Sequence, residues 1–198
     1  NDYTSGDDSK RQAVINKHGP IKDWDVSRVK DMSKLFKGKA NFNEDISDWD
    51  TSKVTNMEYM FSHADKFNQP LNTNGNKWNT SKVTNMVAIF KSAESFNQDI
   101  SNWDTSQVKY IRAMFAGASS FNNGSTGPED PKPLKRNGDK WNTSQVTDMA
   151  SMFDGAASFN QDISNWDTSE VQAMNSMFAG ASSFNNGSTG PEDPKPLK

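Results

Sequence analysis

The chain has 198 residues, of which 32% are hydrophobic, and a mean hydropathy of −0.90. That is poor in apolar residues for a compact domain, yet 12 Phe, 6 Trp and 9 Met exclude disorder as a description of the whole. A net charge of −3 leaves no basic footprint for nucleic acid, no apolar run reaches the length of a membrane span, and the lack of cysteine removes disulfides, thiolate zinc sites and thiol nucleophiles.

In chain order the first predicted element is a helix over Ser9–His18, with Ala13, Val14 and Ile15 on its apolar side and Gly19-Pro20 as its stop. Residues 1–20 read as an N-terminal helical cap. Residues 21–198 read as six tandem units that begin near Trp24, Trp49, Trp78, Trp103, Trp141 and Trp166, at spacings of 25, 29, 25, 38 and 25. Each unit follows W-[DN]-[TV]-S-x-V-x-x-[MI]-x-x-[MLI]-F-x-x-A-x-x-F-N. The unit from Trp103 shows it in full, with Val108, Ile111, Met114, Phe115, Ala118, Phe121 and Asn122.

Within a unit the apolar positions fall at V, +3, +6, +7 and +10, as in Val54, Met57, Met60, Phe61 and Ala64. This spacing predicts one face of a short helix. The stretch before each Trp, such as Phe42–Trp49 or Phe96–Trp103, predicts an extended segment with Ile46 or Ile100 turned inward. The Asp-Thr-Ser after Trp supplies oxygens for a turn or a helix cap. A single unit is too short to bury a core, so the units must stack and share faces.

The extra residues of the longer units all fall after the Phe-Asn pair and before the next Trp. They carry Asn-Gly steps and the Pro-rich stretch Gly127–Pro133, which is loop chemistry on one edge of a repeat array. Met114–Lys135 recurs letter for letter as Met177–Lys198, the mark of a duplicated two-unit block. The chain starts at Asn1, not Met, and stops where the earlier copy continues into Arg136, so a processed piece, truncated at its C-terminal end, is expected. The first unit departs from the pattern, with Lys39 where later units carry Ala, as an end unit does.

Periodic polar residues are candidate sites. The six Trp read as core in preference to a glycan-stacking platform. Asn43, Asn68, Asn97, Asn122, Asn160 and Asn185 read as a side-chain ladder that satisfies backbone groups. Asp45, Asp99 and Asp162, with Asp50, Asp104 and Asp167, mark the only candidate calcium edge. No D-x-D-x-D-G loop is present and Pro70 interrupts the first row, so capping and solvated carboxylates are preferred and no metal is assigned. The sequons at Asn79, Asn123, Asn142 and Asn186 are glycosylation acceptors if the chain is a eukaryotic secreted protein. His63 stands where other units carry Gly38, Ser92 and Gly117, which reads as a tolerated surface residue. Tyr59 and Tyr110 fall at variable, outward positions. Unlike groups converging once make a catalytic site, and here the polar groups repeat, so no enzyme, no catalytic residue and no cofactor are expected.

The unit W-D-T-S-x-V-T-x-M-x-x-M-F-x-x-A-x-x-F-N-Q-D-I-S strongly resembles the repeats of the BspA-like leucine-rich-repeat surface proteins, over about residues 20–198. The opening Gly19-Pro20-Ile21-Lys22-Asp23-Trp24 is similar to the start of such arrays. The Gly-Ser-Thr-Gly-Pro-Glu-Asp-Pro insertions depart from the family pattern. The resemblance implies an α/β repeat fold, a right-handed leucine-rich-repeat-like solenoid with one short strand and one short helix per repeat. It also implies a location that is extracellular or on the cell surface, and adhesion. The expected function is therefore a surface repeat module mediating adhesion or protein/glycan interaction, with a host or matrix protein or a glycan as partner, and no nucleic acid and no membrane insertion. The alternative is a structural subunit of a stalk or filament that stacks end to end on further copies of itself.

Overall fold

The computed structural model describes residues 3–71, 77–127, 129–134 and 141–188. The insertion stretches 72–76, 135–140 and 189–198 lie outside the described residues.

The N-terminal helix, α1, spans Asp8–His18. Asp7 caps it by accepting from the backbone N–H groups of Ser9 and Lys10, and Gly19 closes it at φ 76° with its N–H on the Ile15 carbonyl. Asp8 in the first turn and Lys17 and His18 in the last suit the helix dipole. Val14 and Ile15 pack against the core, while Ala13 is exposed, so the apolar stripe is narrower than the sequence implied. Tyr3 meets Trp24 edge-on, and Arg11 reaches from the Tyr3 ring to Glu44 of the first repeat. A short 3-10 turn, Ile21–Asp23, leads into the repeats.

The α/β solenoid expected from the sequence, with one strand and one helix per repeat, is not what forms. Among the described residues α1 is the only α-helix and there is no strand; the repeats are coil and turn. Successive repeats touch through isolated parallel bridges, Asp31 to Asn56, Asn85, Tyr110, Asp148 and Ala173 in turn.

Backbone hydrogen bonding explains why the helical spacing misleads. The expected helix is a run of tight turns, in which Met60, Ser62 and Ala64 donate back three residues to Met57, Tyr59 and Phe61. The intervening N–H groups of Met57, Tyr59, Phe61 and His63 point away and donate to Asn85, Val87, Ile89 and Lys91 of the next repeat. The same four bonds recur at each of the five junctions between repeats. An α-helix would spend those donors internally. It is also blocked by two left-handed residues per repeat: Lys34, Tyr59, Ala88, Ala113, Ser151 and Ser176 at one position (φ 52–60°), and Gly38, His63, Ser92, Gly117, Gly155 and Gly180 at the other (φ 55–72°).

The core lies inside the stack and is built of columns. Phe36, Phe61, Phe90, Phe115, Phe153 and Phe178 stack with centroids 5.5–5.7 Å apart. Phe42, Phe67, Phe96, Phe121, Phe159 and Phe184 form a second column at 5.7–6.0 Å. Within a repeat the two rings lie 3.8–4.1 Å apart, so all 12 Phe belong to one double column. Ile46 and Ile100 are fully buried, as expected, and Leu71 and Leu134 take the same inward role ahead of the longer units.

Candidate interaction surface

Repeated polar side chains hold the stack together. The Asn column forms a continuous ladder: Asn68, Asn97, Asn122, Asn160 and Asn185 each donate a backbone N–H to the side-chain oxygen of the Asn one repeat earlier, at 2.7–2.9 Å. Gln69, Gln98 and Gln161 donate to the same oxygens.

A second ladder had no place in the sequence reading. The hydroxyls of Thr51, Thr80, Thr105 and Thr143, all buried, donate to the carbonyls of Asn79, Asp104, Asn142 and Asp167 at 2.8–3.0 Å. Its signal was present, since W-[DN]-T-S keeps Thr in every unit but the first, where Val26 stands.

Trp49, Trp78, Trp103 and Trp141 are at most 2% exposed, whereas Trp24 and Trp166, in the first and last units, are half-buried. The indole N–H groups of Trp49, Trp103, Trp141 and Trp166 donate to the carbonyls of Ile21, Leu71, Ile100 and Leu134, each just upstream of the Trp that opens the preceding unit. That of Trp78 is buried and has no partner among the described residues.

The carboxylates of the candidate calcium edge are spent on turns. Asp45, Asp99 and Asp162 accept the N–H of Ser47, Ser101 and Ser164, and Asp50, Asp104 and Asp167 that of Ser52, Ser106 and Ser169, at 2.9–3.0 Å. Among the described residues no three His, Cys, Asp or Glu side chains come together as a metal site. The Ser27 and Ser52 hydroxyls, followed by the N–H groups of the same residues, hold the carboxyls of Asp25 and Asp50 below the ordinary carboxylate range.

The sequons fall into two structural classes. Asn79 and Asn142 are half-buried and accept the N–H of Ser81 and Ser144. Asn123 and Asn186 are buried, and their side-chain oxygens accept the N–H of Ile100 and Ile163 at 3.0 Å. The Asn123 amide also donates to the Lys132 carbonyl at 2.7 Å, so a glycan on that nitrogen would forfeit the bond. The described part of this insertion is folded back onto the array: Gly124 sits on the Asp99 backbone, and Lys132 donates its N–H to Gln161.

The constant polar residues are turned to structure, and other columns vary from repeat to repeat. Beside the row of bridges runs Ser33, Glu58, Val87, Arg112, Ala150 and Asn175, a different residue in each repeat, of which Arg112 and Asn175 are exposed, Ser33, Glu58 and Val87 half-buried and Ala150 buried. The bridge row itself reads Asp31, Asn56, Asn85, Tyr110, Asp148 and Ala173, with Tyr110 47% exposed. Lys37 lies over the Tyr59 ring at 4.8 Å.

Among the described residues no helix is long and apolar enough to cross a membrane. No curated protein and no solved structure matches the chain. One family model does, over residues 9–127 and 129–190, and the chain therefore belongs to the family described as "Mycoplasma protein of unknown function, DUF285".

Proposed function

We propose that the chain is a surface-displayed interaction module of the BspA-like kind, which binds a host or matrix protein or a glycan through its bridge face. The observation that carries this reading is the contrast between columns. The Asn and Thr columns are nearly uniform and bonded inward, whereas the column beside the bridges differs in all six repeats. A rigid backbone that presents varied side chains at regular spacing is how repeat proteins make extended binding surfaces. The reading places the protein outside the cell and assigns it no catalytic residue.

The test is surface plasmon resonance of the purified chain against a panel of matrix proteins and glycans. At least one ligand is expected to bind. The triple change Glu58→Ala, Tyr110→Ala, Arg112→Ala should abolish that binding without changing the melting temperature. Lys53→Ser, Lys82→Ser, Gln107→Ser, on a different column, should leave it intact. Binding that survives the first set of changes and is lost with the second would assign recognition to the other face.

A further inference from the structure

We infer that Lys109, Tyr110 and Arg112 of the fourth repeat form the seat for a carboxylate-bearing sugar, a sialic or uronic acid residue of a glycan. The inference rests on the reading of the bridge face as the binding face, and it names the class of ligand. The bridge column follows a rule that the fourth repeat breaks. Asp31, Asn56, Asn85 and Asp148 each turn a side-chain oxygen onto the N–H two residues on, those of Ser33, Glu58, Val87 and Ala150, at 2.8–3.1 Å. These Asx turns satisfy a backbone donor locally. Tyr110 and Ala173 carry no such oxygen. Accordingly, the N–H of Arg112 has no acceptor among the described residues. Tyr110 forgoes a bond that its column makes in four other repeats, and a local rule broken without structural return is expected at functional positions.

A set of exposed groups stands where the bond is missing. Tyr110 is 47% exposed, and its side chain makes no hydrogen bond or ring contact among the described residues. Leu35 and Met174 are similarly exposed but lie in the first and last repeats, whereas the fourth is bonded to a neighbour on each side. No absent repeat therefore accounts for the bare ring. Lys109 and Arg112 are exposed as well, and among the described residues neither is in an ion pair. The carboxylate at the bridge position of the next repeat, Asp148, is engaged by the Ala150 N–H.

The chemistry of these groups selects the ligand. In the first and fifth repeats a carboxylate oxygen, from Asp31 or Asp148, takes the N–H that Arg112 leaves open. In the fourth repeat a ligand carboxylate takes that role. The Arg112 guanidinium adds a fork that matches a carboxylate, and Lys109 adds a second positive charge. Beside them the Tyr110 ring offers a flat apolar surface to the C–H face of a pyranose, and its hydroxyl can donate to or accept from sugar hydroxyls. An acidic sugar uses the ring and the cations together. A neutral sugar leaves the cations unanswered, and an acidic peptide leaves the ring unused.

The experiment is an amide NMR titration of the full chain with sialyllactose, a hyaluronan oligosaccharide, lactose and a Glu-rich peptide. At least one of the two acidic sugars should shift the amides of Lys109, Tyr110 and Arg112 saturably, while lactose and the peptide at the same concentration leave them in place. Arg112→Gln should weaken that binding about tenfold or more. Tyr110→Asn supplies the oxygen found at Asn56 and Asn85, so it should abolish binding while raising the melting temperature, which separates lost recognition from a damaged fold. No shift with either acidic sugar, equal shifts with lactose or the peptide, or a Tyr110→Asn chain that binds as wild type does would overturn the inference. A matrix protein that binds through Glu58, Tyr110 and Arg112 while both acidic sugars fail would keep the bridge face as the binding face and sink the sugar alone.

Discussion

A side-chain oxygen that serves two backbone donors is the smallest unit of this architecture. Asn97 accepts the N–H of both Asn122 and Gly124, at 2.8 and 2.9 Å. Asn97→Ala leaves two half-buried donors without a protein partner, and should cost about 2 kcal/mol in urea denaturation, at unchanged m. The tryptophans offer a paired comparison. Trp103→Phe removes a bond and orphans the Leu71 carbonyl, whereas Trp78→Phe removes a donor that is already unpaired. Trp103→Phe should therefore be the more costly by about 1 kcal/mol; equal losses would mean that the indole bonds contribute nothing net. Acidity acts at this scale too. The carboxyls of Asp25 and Asp50 titrate lower in the folded chain than in the unfolded one. Their contribution is thus complete above the unfolded pKa and is lost as pH falls through the folded one. Ser52→Ala removes the largest cause for Asp50, and an NMR titration should show that carboxyl moving up toward its ordinary value.

At the scale of the repeat, conformation is decided by the left-handed positions. His63 and Ser92 are the two residues other than Gly in a column that is otherwise Gly38, Gly117, Gly155 and Gly180. A left-handed residue with a Cβ costs about 1–2 kcal/mol, of which Gly returns roughly 0.5–1 through chain entropy. His63→Gly should then stabilise the chain by about 0.5–1 kcal/mol, read as a higher urea midpoint. The reverse change separates strain from crowding. Gly38→Ala meets open space and should cost only the backbone strain. Gly124→Ala places a Cβ 2.9 Å from the Asp99 backbone nitrogen and should cost distinctly more. This column was also the legible clue to the turns. The inward Ile46 and Ile100 and the Asn ladder follow from spacing. The helix did not, because offsets of 3, 6, 7 and 10 fit a run of tight turns as well as they fit a helix. What separates the two is the destination of every second N–H, which is a neighbouring repeat and has no trace in one unit's apolar pattern. Gly recurring six residues after the first Met was the sign of a left-handed turn that a helix does not tolerate.

Across the whole molecule, stability should be graded by neighbours and not held uniformly. An interior repeat is bonded on both sides, the first is covered by α1, and the sixth, among the described residues, is bonded on one side only. The burial pattern already shows the gradient: Val171, Phe178 and Phe184 are half-buried where their interior counterparts are enclosed. Amide hydrogen exchange reads this directly, because a one-dimensional array opens from its ends. The N–H groups of Met149, Ser151, Phe153 and Gly155 are bonded to the sixth repeat and should be protected by on the order of 100-fold or more over those of Met174, Ser176, Phe178 and Gly180. Protection that is equal in all six repeats would mean the array opens as one cooperative unit, and the nearest-neighbour account would fail.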